Sequence, residues 1–251
     1  MAWVESVSPS FRARHDSAHA DDADRVLLSL ERTRARLDEL FPRTVTELTV
    51  VLHNESISLA LSNPVVPARW LVTAPANRRY VAGWAGREEL HVLTPESLAA
   101  RASNVPGSRE MLELAPAALY ARRVIIENNH DLPRRATPAR LRAELRWLWL
   151  LEGGSQWFSG QTEHARPAIA RRLREGGRPD FPPGVRDAPL LGGTVVDLLA
   201  REEGVQAAVK LVTHLHPQGP RGALANAFRG RALVHTEGAW RSHLARIASA
   251  V

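Results

Sequence analysis

Residues 122–130 read RRVIIENNH, and the reading of this stretch decides how the rest of the chain is understood. On a helix, side chains three or four positions apart share a face, so Glu127 and His130 would present a carboxylate and an imidazole together. Arg122 precedes Ile126 by four residues, and Arg123 precedes Glu127 by four and His130 by seven, so either guanidinium group can lie along the same face. The spacing alone means little. With 18 Glu and 10 His in 251 residues, E-x-x-H is expected about 0.7 times by chance. It occurs twice, the other copy being Glu88 to His91 in GREELHVL, a β-rich stretch where the spacing has no metal-binding sense. The surroundings of RRVIIENNH must therefore carry the argument.

Around it the pattern is helical. Residues 108 to 131 form one apolar-periodic helix, starting behind Pro106-Gly107 and stopping before Pro133. A second helix is expected from Thr137-Pro138 to Gly160, because proline's missing N–H is unpaired anyway in a first turn. Its second half reads WLLEGGSQWFSG (149–160). Further helices are expected near 165 to 175, 192 to 214, 221 to 229 and 236 to 249. Upstream, the apolar alternation of Val4 to Arg14 precedes a capping segment, HDSAHADDAD, and a helix from about Asp22 to Phe41. VTELTVVLH (45–53) and GREELHVLTP (86–95) read as strands with a turn-rich stretch between them. The order implies an α+β fold: an N-terminal mixed β-sheet with helices (1–131), then a helical C-terminal subdomain (132–251) carrying WLLEGG.

Composition narrows the function. At 44% hydrophobic the chain can bury a substantial core. It lacks cysteine, so any metal would need His and carboxylate ligands. Of 33 basic residues only Lys210 is lysine, a skew expected of a GC-rich coding sequence, and the densest basic cluster, RPAIARRLREGGR (166–178), has no interleaved aromatics for base stacking. The formal charge of +6 therefore reads as solvated helix faces first and a phosphate-binding patch second, and nucleic-acid binding ranks low. No run of about 18 apolar residues is present and the N-terminus lacks signal-peptide features, so the expectation is a soluble, cytoplasmic chain without a membrane segment.

Two motifs together resemble a known family. An E-x-x-H helix followed by a helix reading roughly W-L-x-E-G-x-A-x-Y is similar to the gluzincin-type zinc metallopeptidases of the peptidase MA-like group. Trp149, Leu150, Glu152 and Gly153 match the second motif, with Ser155 at its small position and Trp157 at its Tyr position. The likeness extends weakly over nearly the full chain, and it implies a zincin-like fold. By that resemblance Glu127 stands at the general-base position, and His130 and Glu152 stand at zinc-ligand positions.

The first ligand position, however, holds Ile126. Catalytic zinc needs three protein ligands and a water, so the family's chemistry is incomplete here. The helix region after residue 188, where related enzymes supply a Tyr, reads Leu190, Leu191, Gly192. The expectation is a pseudoenzyme without zinc, its cleft kept for a peptide or protein partner. The alternative is an active zinc-dependent hydrolase with an atypical ligand set. Without a dication, Glu127 and Glu152 would repel one another, and Arg122 or Arg123, with protonated His130, is the expected counter-charge; solvated surface arginines are the simpler reading. Trp147, Trp149 and Trp157 are expected to pack the second helix on the first. The arginines of residues 133 to 142, including Arg134, Arg135, Arg140 and Arg142, form either a partner surface or an exposed linker.

Overall fold

The computed structural model of the chain describes residues 3–133, 137–175 and 177–249. The chain begins with an antiparallel hairpin of β1 (Trp3–Val7) and β2 (Phe11–Asp16). In β2, buried Phe11, Ala13 and His15 alternate with exposed Arg12 and Arg14, so one sheet face is covered there. The Asp16 side chain accepts from the Ala18 N–H and starts a 3-10 turn that leads into α1 (Ala20–Asp38). Helix α1 buries Val26, Leu27, Leu30 and Leu37. It returns the chain to β3 (Leu48–His53), parallel to β2, a pairing that requires such a crossover.

The stretch after β3 differs from the expected succession of turns. It contains α2 (Ser56–Ser62), α3 (Val65–Val72), a 3-10 turn at Pro75–Tyr80 and the short strand β4 (Gly83–Ala85). Pro67 sits in the first turn of α3, where a missing N–H costs nothing. Strand β5 (Glu89–Leu93) pairs parallel with β3 and antiparallel with β4. The five-stranded mixed sheet runs β1-β2-β3-β5-β4, leaving β4 at one edge.

Helices fill the remainder: α4 (Pro95–Ala100), α5 (Ser108–Glu113), α6 (Ala115–Asn128), α7 (Pro138–Arg146), α8 (Leu148–Ser159), α9 (Gln161–His164), α10 (Arg166–Arg174), α11 (Ala188–Glu203), α12 (Val205–Thr213), α13 (Pro220–Ala227) and α14 (Leu233–Ser249). Three expected helices are each broken in two. Residues 108–131 divide at Leu114, because Pro116 opens a new first turn. Residues 137–160 divide at Trp147, whose backbone leaves the helical region at φ −106° and ψ 17°. Residues 192–214 divide at Gly204, whose φ of 89° is accessible to glycine at no steric cost. The expected start at Thr137-Pro138 is seen in α7, where Thr137 Oγ1 accepts from the Arg140 N–H at 3.2 Å.

The fold is α+β. Helix α6 packs on β4 and β5 and also against α1 and α8, and α8 lies along α11. The α8–α11 crossing is close because glycines face each other: a Cβ on Gly153 would lie 2.4 Å from the Gly192 carbonyl oxygen. One apolar cluster runs from Phe11 and Val50 through Tyr120, Ile125 and Leu150 to Val195 and Trp240, crossing the expected boundary at residue 131. Among the described residues, no helix is long and apolar enough to cross a membrane.

Candidate functional site

Helix α6 ends before the motif does. Its last helical residue is Asn128, and Asn129 turns extended at φ −99° and ψ 98°. The two asparagines hold that ending in place. Asn128 accepts from the Arg43 N–H at 3.2 Å and donates to the Arg43 carbonyl at 2.7 Å, and Asn129 donates to the Val212 carbonyl at 3.0 Å. His130 therefore lies off the helix, in an exposed turn, and the expectation that it shares the helical face of Glu127 is corrected. The reason is tertiary: the two Asn amides bond backbone groups of Arg43 and Val212, which fixes the chain's exit from the helix.

The preceding residues of the motif diverge around α6. Arg123 donates through Nε to the Arg87 carbonyl at 2.9 Å, in the β4–β5 turn, and pairs with Glu127 at 2.7 Å. The Glu127 side chain is 39% exposed there. Arg122, one helical step round, is buried and points to α8, where Nη1 reaches Glu152 Oε1 at 2.7 Å. Ile126 is half-buried and packs on the core. The two carboxylates of the expected site are thus served by different arginines on different strips of the helix.

Glu152 is the centre of a larger cluster that was invisible in sequence. Arg69, from α3, reaches the same Oε1 at 2.8 Å. Glu144, from α7, lies 3.5 Å from Arg122 and is also paired with Arg140, which donates in turn to the Pro133 carbonyl. The Glu152 side chain is 15% exposed. Burial alone pushes its carboxyl up, but the charges of Arg69 and Arg122, with the Arg69 hydrogen bond, outweigh this and hold it below the ordinary carboxylate range. It is ionised at neutral pH and its charge is already matched.

The fit to zinc can be judged from these contacts. The first ligand position is Ile126, His130 lies in a turn beyond the helix end, and Glu152 is engaged by two guanidinium groups. Among the described residues, no three His, Asp or Glu side chains converge on one point. The residues present do not fit a catalytic zinc.

What the cluster does border is a cavity of about 200 Å³ between α3, β4, α6, α7 and α8. Arg69, Arg122, Glu144 and Glu152 line its polar end, and Val66, Trp84, Leu119 and Leu148 its apolar walls. Val65 and Val72 of α3 and Leu141 and Leu145 of α7 form its rim, exposed by 45%, 52%, 50% and 49%. Five consecutive residues, Val81 to Ala85, also line it. Ala82 and Gly86 bond to Leu93 and Glu89, which makes Gly83 and Ala85 the alternate positions whose N–H and C=O turn away from β5. β4 is thus an edge strand of the sheet, and all three of its residues line the cavity.

The remaining residues named from the sequence have structural surroundings. Trp147 and Trp149 are buried in the core, and half-buried Trp157 donates to Asp197 at 3.3 Å. In the basic cluster, Arg171, Arg172 and Arg178 pair with Glu175, Asp187 and Glu237. Arg134 and Arg135 lie outside the described residues. Arg69, Glu144 and the β4 edge were missed. Arg69 lies 83 positions before Glu152, and no local pattern marks that pairing. No family model matches the sequence, and neither the curated proteins nor the solved structures contain a match to it.

Proposed function

We propose that this chain is a non-hydrolytic, zincin-like protein of the gluzincin type, in which arginine has taken over the charge role of the metal and the cleft binds an extended peptide. The observation that carries the reading is the double engagement of Glu152 by Arg69 and Arg122 in the wall of a cleft that is also lined by edge strand β4. An edge strand with outward N–H and C=O groups is a template for an added strand, with main-chain hydrogen bonds giving affinity and side pockets giving selectivity. The apolar rim of α3 and α7 supplies such pockets. Hydrolysis is not expected, because Glu127 lies beside Arg123 over the β4–β5 turn and does not line the cavity.

The test is a proline placed where only the free edge is affected. The Ala85 N–H turns away from β5 and Ala85 lines the cavity, and proline is tolerated on edge strands at such positions. Acetylated hexapeptides built from Ala, Val, Leu and Phe serve as probe, with retention measured by equilibrium dialysis and mass spectrometry. Ala85→Pro should keep the far-ultraviolet spectrum and melting behaviour of the parent and lose at least about tenfold in peptide retention. Equal retention by parent and variant would remove the edge-strand reading, and release of cleaved peptide by the parent would remove the non-hydrolytic one.

A further inference from the structure

One surface of the molecule carries apolar side chains without the charged face that normally accompanies them. Residues 56–77 read SISLALSNPVVPARWLVTAPAN and include a single charged residue, Arg69, although 24% of the chain is charged. Arg69 points inward, to Glu152. The stretch forms α2 and α3, which pack on each other, and buried Leu59 and Val66 anchor their inner side. A surface helix ordinarily turns charged and polar side chains outward, and one that is apolar all round is buried. Here the outer side is open. Leu61 and Leu71 are the most exposed large apolar side chains among the described residues, at 83% and 77%, and Ile57, one turn before Leu61 on the same face of α2, is 68% exposed. None of the three lines the cleft. Exposed apolar surface of this kind marks an interaction site.

The charges at its border identify what covers it. Glu55 stands at the start of the stretch and Arg78 at its end, where Arg78 donates to the Thr73 carbonyl. Arg101 joins the two helices: its guanidinium donates to Ser56 Oγ of α2 at 2.8 Å and lies 5.5 Å from the centre of the Trp70 ring of α3. Arg79 belongs to a neighbouring groove beside α10. Among the described residues Arg78 and Arg101 have no carboxylate partner, their hydrogen bonds going to backbone carbonyls and the Ser56 hydroxyl. The border is therefore cationic, and the formal charge of +6 on the whole chain adds attraction to an anionic surface. A two-fold contact with a second copy would set these arginines against their own counterparts. Anionic lipid headgroups neutralise them instead, and the acyl boundary accepts protruding aliphatic side chains without a matching pocket.

We propose that the outer side of α2 and α3 docks on an anionic bilayer surface, with Ile57, Leu61 and Leu71 entering the acyl boundary and Arg78 and Arg101 meeting headgroup phosphates. The chain lies on the membrane and does not span it. The test sediments the full chain with vesicles of phosphatidylcholine alone and of phosphatidylcholine mixed with phosphatidylglycerol. The parent is expected to partition about tenfold more strongly onto the mixed vesicles. Leu61→Asp combined with Leu71→Asp, both at exposed positions and checked for an unchanged far-ultraviolet spectrum, should lose at least about tenfold on those vesicles. Arg78→Gln should narrow the difference between the two vesicle types. Equal partition of the parent onto both vesicle types, sedimentation with neither, or equal partition of parent and Asp variant would overturn the proposal. So would a dimer seen by sedimentation velocity without lipid and abolished in the Asp variant, because a second copy would then cover the patch.

Discussion

Replacing Glu152 by glutamine keeps the size of the side chain and removes the charge on which Arg69 and Arg122 converge. Breaking a buried ion pair from one side costs roughly 3 to 5 kcal/mol, because the remaining charge is left without compensation, whereas surface pairs are worth about 0 to 1 kcal/mol. Here the side chains of Glu152, Arg122 and Arg69 are 15%, 11% and 19% exposed, and Arg122 keeps Glu144 at 3.5 Å. These facts place Glu152→Gln at the lower end, about 3 kcal/mol. For a chain of this length each kcal/mol lowers the melting temperature by about 2 to 4 °C, so a drop of about 6 to 12 °C is expected at neutral pH. The pH dependence gives a second reading. The folded-state carboxyl titrates below its ordinary range, so its contribution is complete above that range and is lost as pH falls through the folded value. The gap between parent and variant should therefore narrow in acid. The assay is thermal unfolding followed by circular dichroism at neutral pH and in mildly acidic buffers. A loss of under about 0.5 kcal/mol at neutral pH would show that the pair behaves as a surface contact and refute the reasoning.

Other outcomes follow from the same geometry. His53 and His91 are buried and hydrogen-bonded at 2.9 Å, and burial, with the charge of His91, pushes His53 down to about 4. A depressed folded-state histidine destabilises the fold as pH falls from its unfolded value towards its folded one, so stability should decline by up to about 3 kcal/mol between roughly pH 6.5 and 4. Replacing His53 by leucine should flatten that decline in urea titrations, and an unchanged pH profile would count against it. Gly153→Ala would set a methyl group against the backbone of Gly192, so the α8–α11 crossing must open. A loss of about 1 to 3 kcal/mol is expected from overpacking, and a neutral melting temperature would mean that the helices slide apart freely.

Much of the first half of the fold was legible because its signals are local. An extended start, α1 and β3 follow from alternation, capping Asp and Ser, and a β-branched run in residues 45–53, whereas the turn that folds the start into a hairpin was not read. The helix breaks at Pro116 and Gly204 had visible causes that apolar periodicity masked, while the break at Trp147 had none. Strand β4 is three residues long and lies between two turns, too short for any period to register. The site was legible only in part. The resemblance pointed to Glu152 and helical spacing to Arg122, but Arg69 reaches them through tertiary packing. His130 was misplaced because periodicity continues past Asn128, while the side-chain amides that end the helix bond to Arg43 and Val212, distant in sequence.

In the reading proposed above, arginine and not a metal holds the Glu152 end of the cleft, and the helix ending at Asn128 keeps His130 away from it. Untagged parent protein and Ile126→His, incubated with zinc chloride, desalted and measured by plasma mass spectrometry, test it directly. Neither is expected to retain zinc, because restoring one imidazole on α6 neither returns His130 to the helix nor frees Glu152 from Arg69 and Arg122. Zinc bound one to one with the chain in either protein would contradict it.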